Sequence, residues 1–206
     1  MSHPVFFYDL TDPVSYLAAE RINAALAVVA EWEPVLGAGG AAIDREVIAA
    51  RARQLGLQPL RWPPTATGRE AALAATYAKQ VGRGVAFSLA AFRQTFAGGH
   101  DLDLESTVLL AGAACELHPR ALLQAIQRPA IGAALERACE RARIAGATSL
   151  PAIEVRGSLF SGDDAVEQAA AHMNSPEASL LAPVRLPAEP KGQPGTAEPI
   201  GDLRNT

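Results

Sequence analysis

Apolar residues run unbroken through "PVFFY" at 4–8, which predicts a short strand buried on both faces. Asp12-Pro13 follows, and then Leu17, Ile22 and Leu26. An Asp able to accept from free amides, beside a Pro suited to the first helical position, predicts a helix start. "WEPVL" at 32–36 predicts a second strand, ended by Gly37, Gly39 and Gly40. A β-α-β unit of this kind normally lays its two strands parallel in one sheet. Asp44 opens another helix, "DREVIAARARQLG", stopped by Gly56, and "LQPLRWPP" reads as an extended connection.

From Gly68 to about Ala145 the pattern is helical almost throughout. Gly82, Gly84, Gly98, Gly99 and His118-Pro119 divide it into four or five helices, with Asp103 as a cap for one of them. After Gly146 the period changes. "LPAIEVRGSLFSG" predicts two short strands joined at Arg156-Gly157-Ser158, and 163–173 a last helix. From Ser175 onward Pro, Gly and charged residues dominate, and a loosely held tail is expected. The order β-α-β, helices, then β-β-α defines an α/β fold: a thioredoxin-like sheet with an all-helical insertion between its halves. The expected core is 1–40 with 146–174, the insertion and its connections 41–145, and the tail 175–206.

Composition narrows the function classes. A chain of 206 residues, 49% hydrophobic, can build one full-sized domain. A net charge of −4 singles out neither nucleic acid nor an anionic membrane as partner. The two cysteines, Cys115 and Cys139, lie in Ala-rich helical patterns with no C-x-x-C spacing, and small buried core positions are expected for them. His3, His100, His118 and His172 show no metal-ligand spacing, so no metal is expected. The first residues lack a basic stretch followed by a long apolar run, and no stretch is long enough to span a bilayer. With reduced cysteines, the expectation is a cytoplasmic protein.

Four segments carry a resemblance: "FFYDLTDPVSYLA", "EPVLGAG", "ARQLGLQPLRWPP" and "GATSLPAIEVRGSLFSGDDAVEQ". In order and spacing they resemble the DsbA-like branch of the thioredoxin superfamily. Within it the chain is most similar to 2-hydroxychromene-2-carboxylate isomerases and kappa-class glutathione transferases, over roughly residues 4–174. The resemblance implies glutathione or another low-molecular-weight thiol as cofactor and a small aromatic or unsaturated carboxylic acid as substrate. It implies a thiol that adds to the substrate's conjugated system and leaves after a bond has rotated. A homodimer, usual among the kappa-class relatives, is one assembly it leaves open.

The opening turn is the first place where the chain departs from that family. A helix N-terminus offers unpaired amides and partial positive charge, which stabilise a thiolate. The family's pattern there is Asp-x-x-Ser-Pro, and Asp12 stands at the Ser position. A carboxylate accepts hydrogen bonds without donating them and repels a thiolate. Three arrangements remain open: Asp12 caps the helix while Thr11, Ser15 or Tyr16 donates; Asp12 is protonated in a buried site; or Asp12 serves as a base. Asp12, Ser15 and Tyr16 are therefore the candidate catalytic residues. Disulfide exchange is excluded at the turn, where Asp12 and Ser15 replace both thiols.

Two further constellations are candidates for holding the thiol peptide. In thioredoxin-like folds the proline of the Ser149-Leu150-Pro151 loop is cis and faces the first helix, so Leu150 and Pro151 are expected to present backbone to glutathione. Gly162, Asp163 and Asp164 open the last helix, with Ser161 and Asp164 at capping-box spacing. Its amides suit the α-carboxylate of the γ-glutamyl end, and Asp163 or Asp164 its ammonium. The family's Arg after this Asp is absent, since Ala165 stands there, and "GAGGAAIDREV" lacks the family's Asn- and Lys-containing segment. Arg61 and Trp62 either line the same cleft, offering charge and stacking, or pack between sheet and insertion, the second being slightly preferred. Phe87, Phe92 and Phe96, at helical spacing, read as core or as the wall of a cleft.

Overall fold

The computed structural model describes residues 3–37, 44–64 and 66–175. The tail expected over 175–206 lies, past Ser175, outside the described residues.

Strand β1 (Val5–Tyr8) is buried at every position because both its faces are covered. Phe6 and Tyr8 point to one face, with Trp32, helix α1 (Pro13–Ala25) and the last helix, α8 (Ala165–Asn174). Val5 and Phe7 point to the other, against Ala138 and Ala142 of α7 (Pro129–Ile144). Strand β2 (Glu31–Pro34) pairs parallel with β1, as the β-α-β reading requires. Strands β3 (Ala152–Val155) and β4 (Ser158–Ser161) add antiparallel, giving the order β2-β1-β3-β4. Arg156 and Gly157 both take positive φ, 51° and 82°, the backbone twist of a two-residue hairpin turn.

Between β2 and β3 lie α2 (Arg45–Gln54), α3 (Arg69–Gln80), α4 (Gly84–Phe92), a π-helical turn over Arg93–Ala97, α5 (Glu105–Ala114), α6 (Pro119–Ile126) and α7. Helix α3 carries alanines at 71, 72, 74, 75 and 78, all buried, so its neighbours approach closely. The core runs across both halves of the chain. Tyr8 of β1 hydrogen-bonds Ser88 of α4 at 2.6 Å, and Tyr8, Phe92, Tyr16 and Phe96 stand in consecutive ring contacts. Phe87, Phe92 and Phe96 are thus fully buried core, not a cleft wall.

Several local expectations are corrected. The second strand begins at Glu31, because Glu31 N–H already donates to the Pro4 carbonyl and sets the register. The last helix starts at Ala165, not 163, and Asp164 makes no side-chain cap bond. The Ser161–Asp164 capping box is therefore not formed. Gly162, at φ 90°, turns the chain there while its N–H donates to the Pro151 carbonyl at 2.9 Å. Asp103 caps nothing on its own helix, since α5 has no side-chain cap bond. It accepts instead from Thr67 N–H, Thr67 Oγ1 and Gly68 N–H, tying down the entry to α3. Cys115 is buried, but Cys139 is only half-buried, its Sγ accepting from Leu36 N–H at 3.4 Å.

Candidate functional site

The topology gathers the candidate residues at one end of the sheet. β1 and β2 run parallel, so Asp9 and Val35 leave the sheet on the same side. β3 runs against β1, so Pro151 enters where β1 ends, with Phe7 opposite Ala152. β4 turns back again, so Ser161 pairs with Ala152 and delivers Gly162–Asp164 to the same end. The first turns of α1 and α8 both stand there.

Asp12 caps α1 as its sequence position predicts. Oδ1 accepts from Val14 N–H at 3.2 Å, and Oδ2 accepts from Ser15 N–H at 2.8 Å and Ser15 Oγ–H at 2.7 Å. Burial pushes the Asp12 carboxyl up from 3.8 to about 6, against the lowering effect of its Ser15 and Val14 bonds, and the Asp9 charge adds to the rise. Ser15 is fully buried with its proton committed to Asp12. Tyr16 is placed away from the turn's surface, its ring stacked 5.4 Å from Phe96. Burial raises the Tyr16 hydroxyl, Glu20 adds to that, and Arg93 opposes it. Of the three candidate catalytic residues, the structure brings Asp12 and Ser15 together and packs Tyr16 into the core.

Asp9 is the residue that sequence reasoning passed over. It sits at 7% exposure and organises the turn. Oδ1 accepts from Thr11 N–H and Thr11 Oγ–H, both at 2.7 Å, and Oδ2 from Gly37 N–H at 2.6 Å. The signal was an acidic residue directly closing an all-apolar strand. Gly37 has little room for a side chain: a Cβ there would lie 2.9 Å from Asp9 Oδ2 and 3.4 Å from Leu150 Cδ1. The insertion reaches the turn through Gly68, which has φ 63° and abuts the Thr11 methyl.

The Leu150–Pro151 peptide bond is cis. Leu150 is half-buried and precedes the ladder, whose pairing begins at Ala152, so its backbone is not part of the sheet. At α8 the acidic residues are drawn sideways. Asp163 meets Arg21 at 3.2 Å and Arg51 at 3.0 Å, and Asp164 lies 4.0 Å from Arg51. Glu167 pairs with Arg21 and stands 3.6 Å from Arg51. The N-terminus of α8 is left without a side-chain cap and suits a carboxylate. Asp163 already faces two guanidinium groups and is a poor partner for an ammonium. Trp62 is half-buried against the core and under the Arg45 guanidinium, 5.1 Å from the ring centre, as a packing role requires, whereas the Arg61 side chain is exposed and does not pack between sheet and insertion. Among the described residues no group of three or more His, Cys, Asp or Glu is placed to hold a metal ion, and no helix is long and apolar enough to cross a membrane.

Comparison with known proteins bears on the fold. No family model matches the chain, and no curated protein matches it. Among solved structures it is similar to a 2-hydroxychromene-2-carboxylate isomerase, with TM-score 0.73 and 17% identity over 84% of this chain and 94% of that one. It is also similar to a probable DsbA oxidoreductase from Streptomyces coelicolor, with TM-score 0.69 and 21% identity over 96% and 99%. A cytosolic disulfide reductase, DsbM from Pseudomonas aeruginosa, in a structure with glutathione, gives TM-score 0.63 and 16% identity over 87% and 99%. The chain has the DsbA-like thioredoxin fold, the fold common to that isomerase and to DsbA-type oxidoreductases.

Proposed function

We propose that the protein is a cytoplasmic enzyme of the glutathione-dependent isomerase type, acting on a small aromatic or unsaturated carboxylic acid through a bound low-molecular-weight thiol. The observation that carries this reading is convergence. The Asp12 turn, the cis Leu150–Pro151 bond and the uncapped start of α8 stand at one end of the sheet, and Gly162 N–H bonds the Pro151 carbonyl. In this reading Leu150 holds the thiol peptide's backbone, and the amides of α8 hold a carboxylate at its γ-glutamyl end. The bound thiol supplies a sulfur nucleophile that adds reversibly to the substrate's conjugated system. Asp12 and Ser15 lie beside the sulfur; Tyr16 supports them from the core. Disulfide exchange is not the activity, because neither Cys115 nor Cys139 belongs to the turn.

Thermal unfolding with added glutathione tests this. A ligand that binds only the folded chain raises the midpoint, by roughly 2.7 kcal/mol of stability at a hundredfold excess over its Kd. A conjugated hydroxy-aromatic acid is then expected to isomerise only when the thiol is present. An unmoved midpoint with every thiol offered defeats the reading.

One observation favours a second reading, a binding module without thiol chemistry. The amides and aliphatic hydroxyls of the turn are engaged internally, and Asp163 is engaged by arginines. Binding of the aromatic acid alone, with no turnover under any thiol, is the result that selects it.

A further inference from the structure

We propose that the Asp12 turn takes a neutral thiol as a hydrogen-bond donor, with Asp12 Oδ1 as acceptor and proton-holding group, instead of stabilising a thiolate. This rests on the preceding reading that a small thiol reaches the turn.

The donors of the turn are already engaged. Thr11 N–H and Oγ–H go to Asp9 Oδ1, and Asp12 N–H to the Asp9 carbonyl at 3.1 Å. Pro13 has no N–H. Val14 N–H goes to Asp12 Oδ1, and Ser15 N–H and Oγ–H to Asp12 Oδ2. Tyr16 N–H goes to the Asp12 carbonyl at 3.1 Å. From Thr11 to Tyr16 every amide hydrogen and both aliphatic hydroxyl hydrogens have acceptors inside the turn. An anionic sulfur at Asp12 would meet carboxylate oxygens, with the Asp9 charge behind them, and from Thr11 to Tyr16 no unengaged amide.

Acceptor capacity is what the turn still offers. A carboxylate has about four lone-pair positions. Asp12 receives two donors on Oδ2 and one on Oδ1, so Oδ1 can take one more. The charges around it do not reverse this. Asp9, at the end of β1, is the charged group acting on Asp12. Across the Thr11–Gly68 contact, Asp103 is held by Thr67 and Gly68. From α1, α2 and α8, Arg21 and Arg51 are held by Asp163 and Glu167. With its carboxyl lifted to about 6, Asp12 is ionised at neutral pH and basic enough to accept a proton. As sulfur bonds to the substrate's conjugated carbon, Asp12 takes the thiol proton onto Oδ1 while the electron pair on sulfur forms the new C–S bond; when that bond breaks, the pair returns to sulfur and the proton returns along the same path. The step is a proton transfer coupled to reversible addition and needs no oxidant or reductant.

The test compares glutathione with S-methylglutathione, which lacks the S–H donor, on the full chain. At neutral pH glutathione is expected to bind roughly tenfold more tightly, the effect of one hydrogen bond to a charged acceptor. The preference is expected to vanish in acid, below the Asp12 value of about 6, where Oδ1 carries its own proton. Near pH 8.5, about where a free thiol is half ionised, the ultraviolet absorbance of the thiolate should fall on binding, meaning that the bound thiol's pKa rises. With Asp12→Ser, which supplies a donor, that absorbance should rise instead. Equal affinities at neutral pH, or more thiolate absorbance on the wild-type chain, overturn the proposal and leave the thiol reading standing. Binding of neither peptide overturns both. The wild-type titrations decide the matter even if Asp12→Ser does not fold.

Discussion

Helices α1 and α8 begin at the same end of the sheet and treat their free amides in opposite ways. At α1, the Asp12 side chain reaches two and three residues ahead and closes the amides of Val14 and Ser15. At α8, Asp164 has helical-side backbone angles, φ −88° and ψ 4°, and makes no cap bond, while Asp163 is pulled to Arg21 and Arg51. An acidic residue at a helix start therefore does not by itself close that start. The outcome depends on its backbone angles and on which cations come near from elsewhere in the fold. The positive end of α1 is cancelled from within, while that of α8 is left without a side-chain cap. The thiol peptide of the proposed function, with an acid at one end and a hydrogen donor at the other, is the ligand this contrast would test.

The largest test of the contrast is Asp9→Ala. It strips the acceptors from Thr11 N–H, Thr11 Oγ–H and Gly37 N–H in a buried setting. A loss of about 3 kcal/mol is expected in urea unfolding. A loss under a third of that would mean that α1 closes without Asp9.

Next comes the pH dependence of Asp12. Its carboxyl rises from 3.8 unfolded to about 6 folded, so between those values the folded chain holds a proton that the unfolded chain has released. Its effect is absent below the lower value and becomes a full destabilisation above the upper one. Asp12→Asn removes it. The variant should gain on the wild type by about 2 kcal/mol as pH climbs from 4 to 7, read as a change in the difference between urea midpoints. A constant difference would show that this carboxyl is not lifted in the folded chain.

Asp163→Asn should cost at most about 1 kcal/mol, screened by salt, because the pairs lie near the surface. It should leave binding of a carboxylate at α8 intact. If binding is lost, Asp163 is a ligand group and not a tether. At the small end, Glu140→Ala breaks only the exposed pair with Arg143 and should leave the thermal midpoint unchanged.

The fold was legible because its determinants are local. The unbroken apolar run at 5–8, Asp12-Pro13, Asp44, Pro119 and the Arg156-Gly157 turn each act within a few residues. The cis bond at Leu150–Pro151 was anticipated only through resemblance, since nothing beside it dictates that isomer. What was not legible is long-range. The Ser161–Asp164 box fits its spacing but gives way to Gly162 bonding Pro151, and Asp103 serves Thr67 and Gly68, 36 and 35 residues away. Asp9 was passed over because its partner Gly37 lies 28 residues on. Cys139 gave no hint that α7 would bring it to Leu36.

Strand β2 stands at one edge of the sheet, yet Trp32, Glu33 and Pro34 are buried between α3 and α7. Lys79 and Arg141 grip Glu31 and Glu33 from those two helices at 2.6–3.2 Å. Burial alone would raise the Glu31 carboxyl, but the two cations outweigh it and hold it below its ordinary value. Charged side chains along an edge, and a Pro34 that withholds a donor, disfavour the addition of a foreign extended chain at this margin. Among the described residues the sheet's other margin is β4, which is half-buried to exposed and carries no such grip.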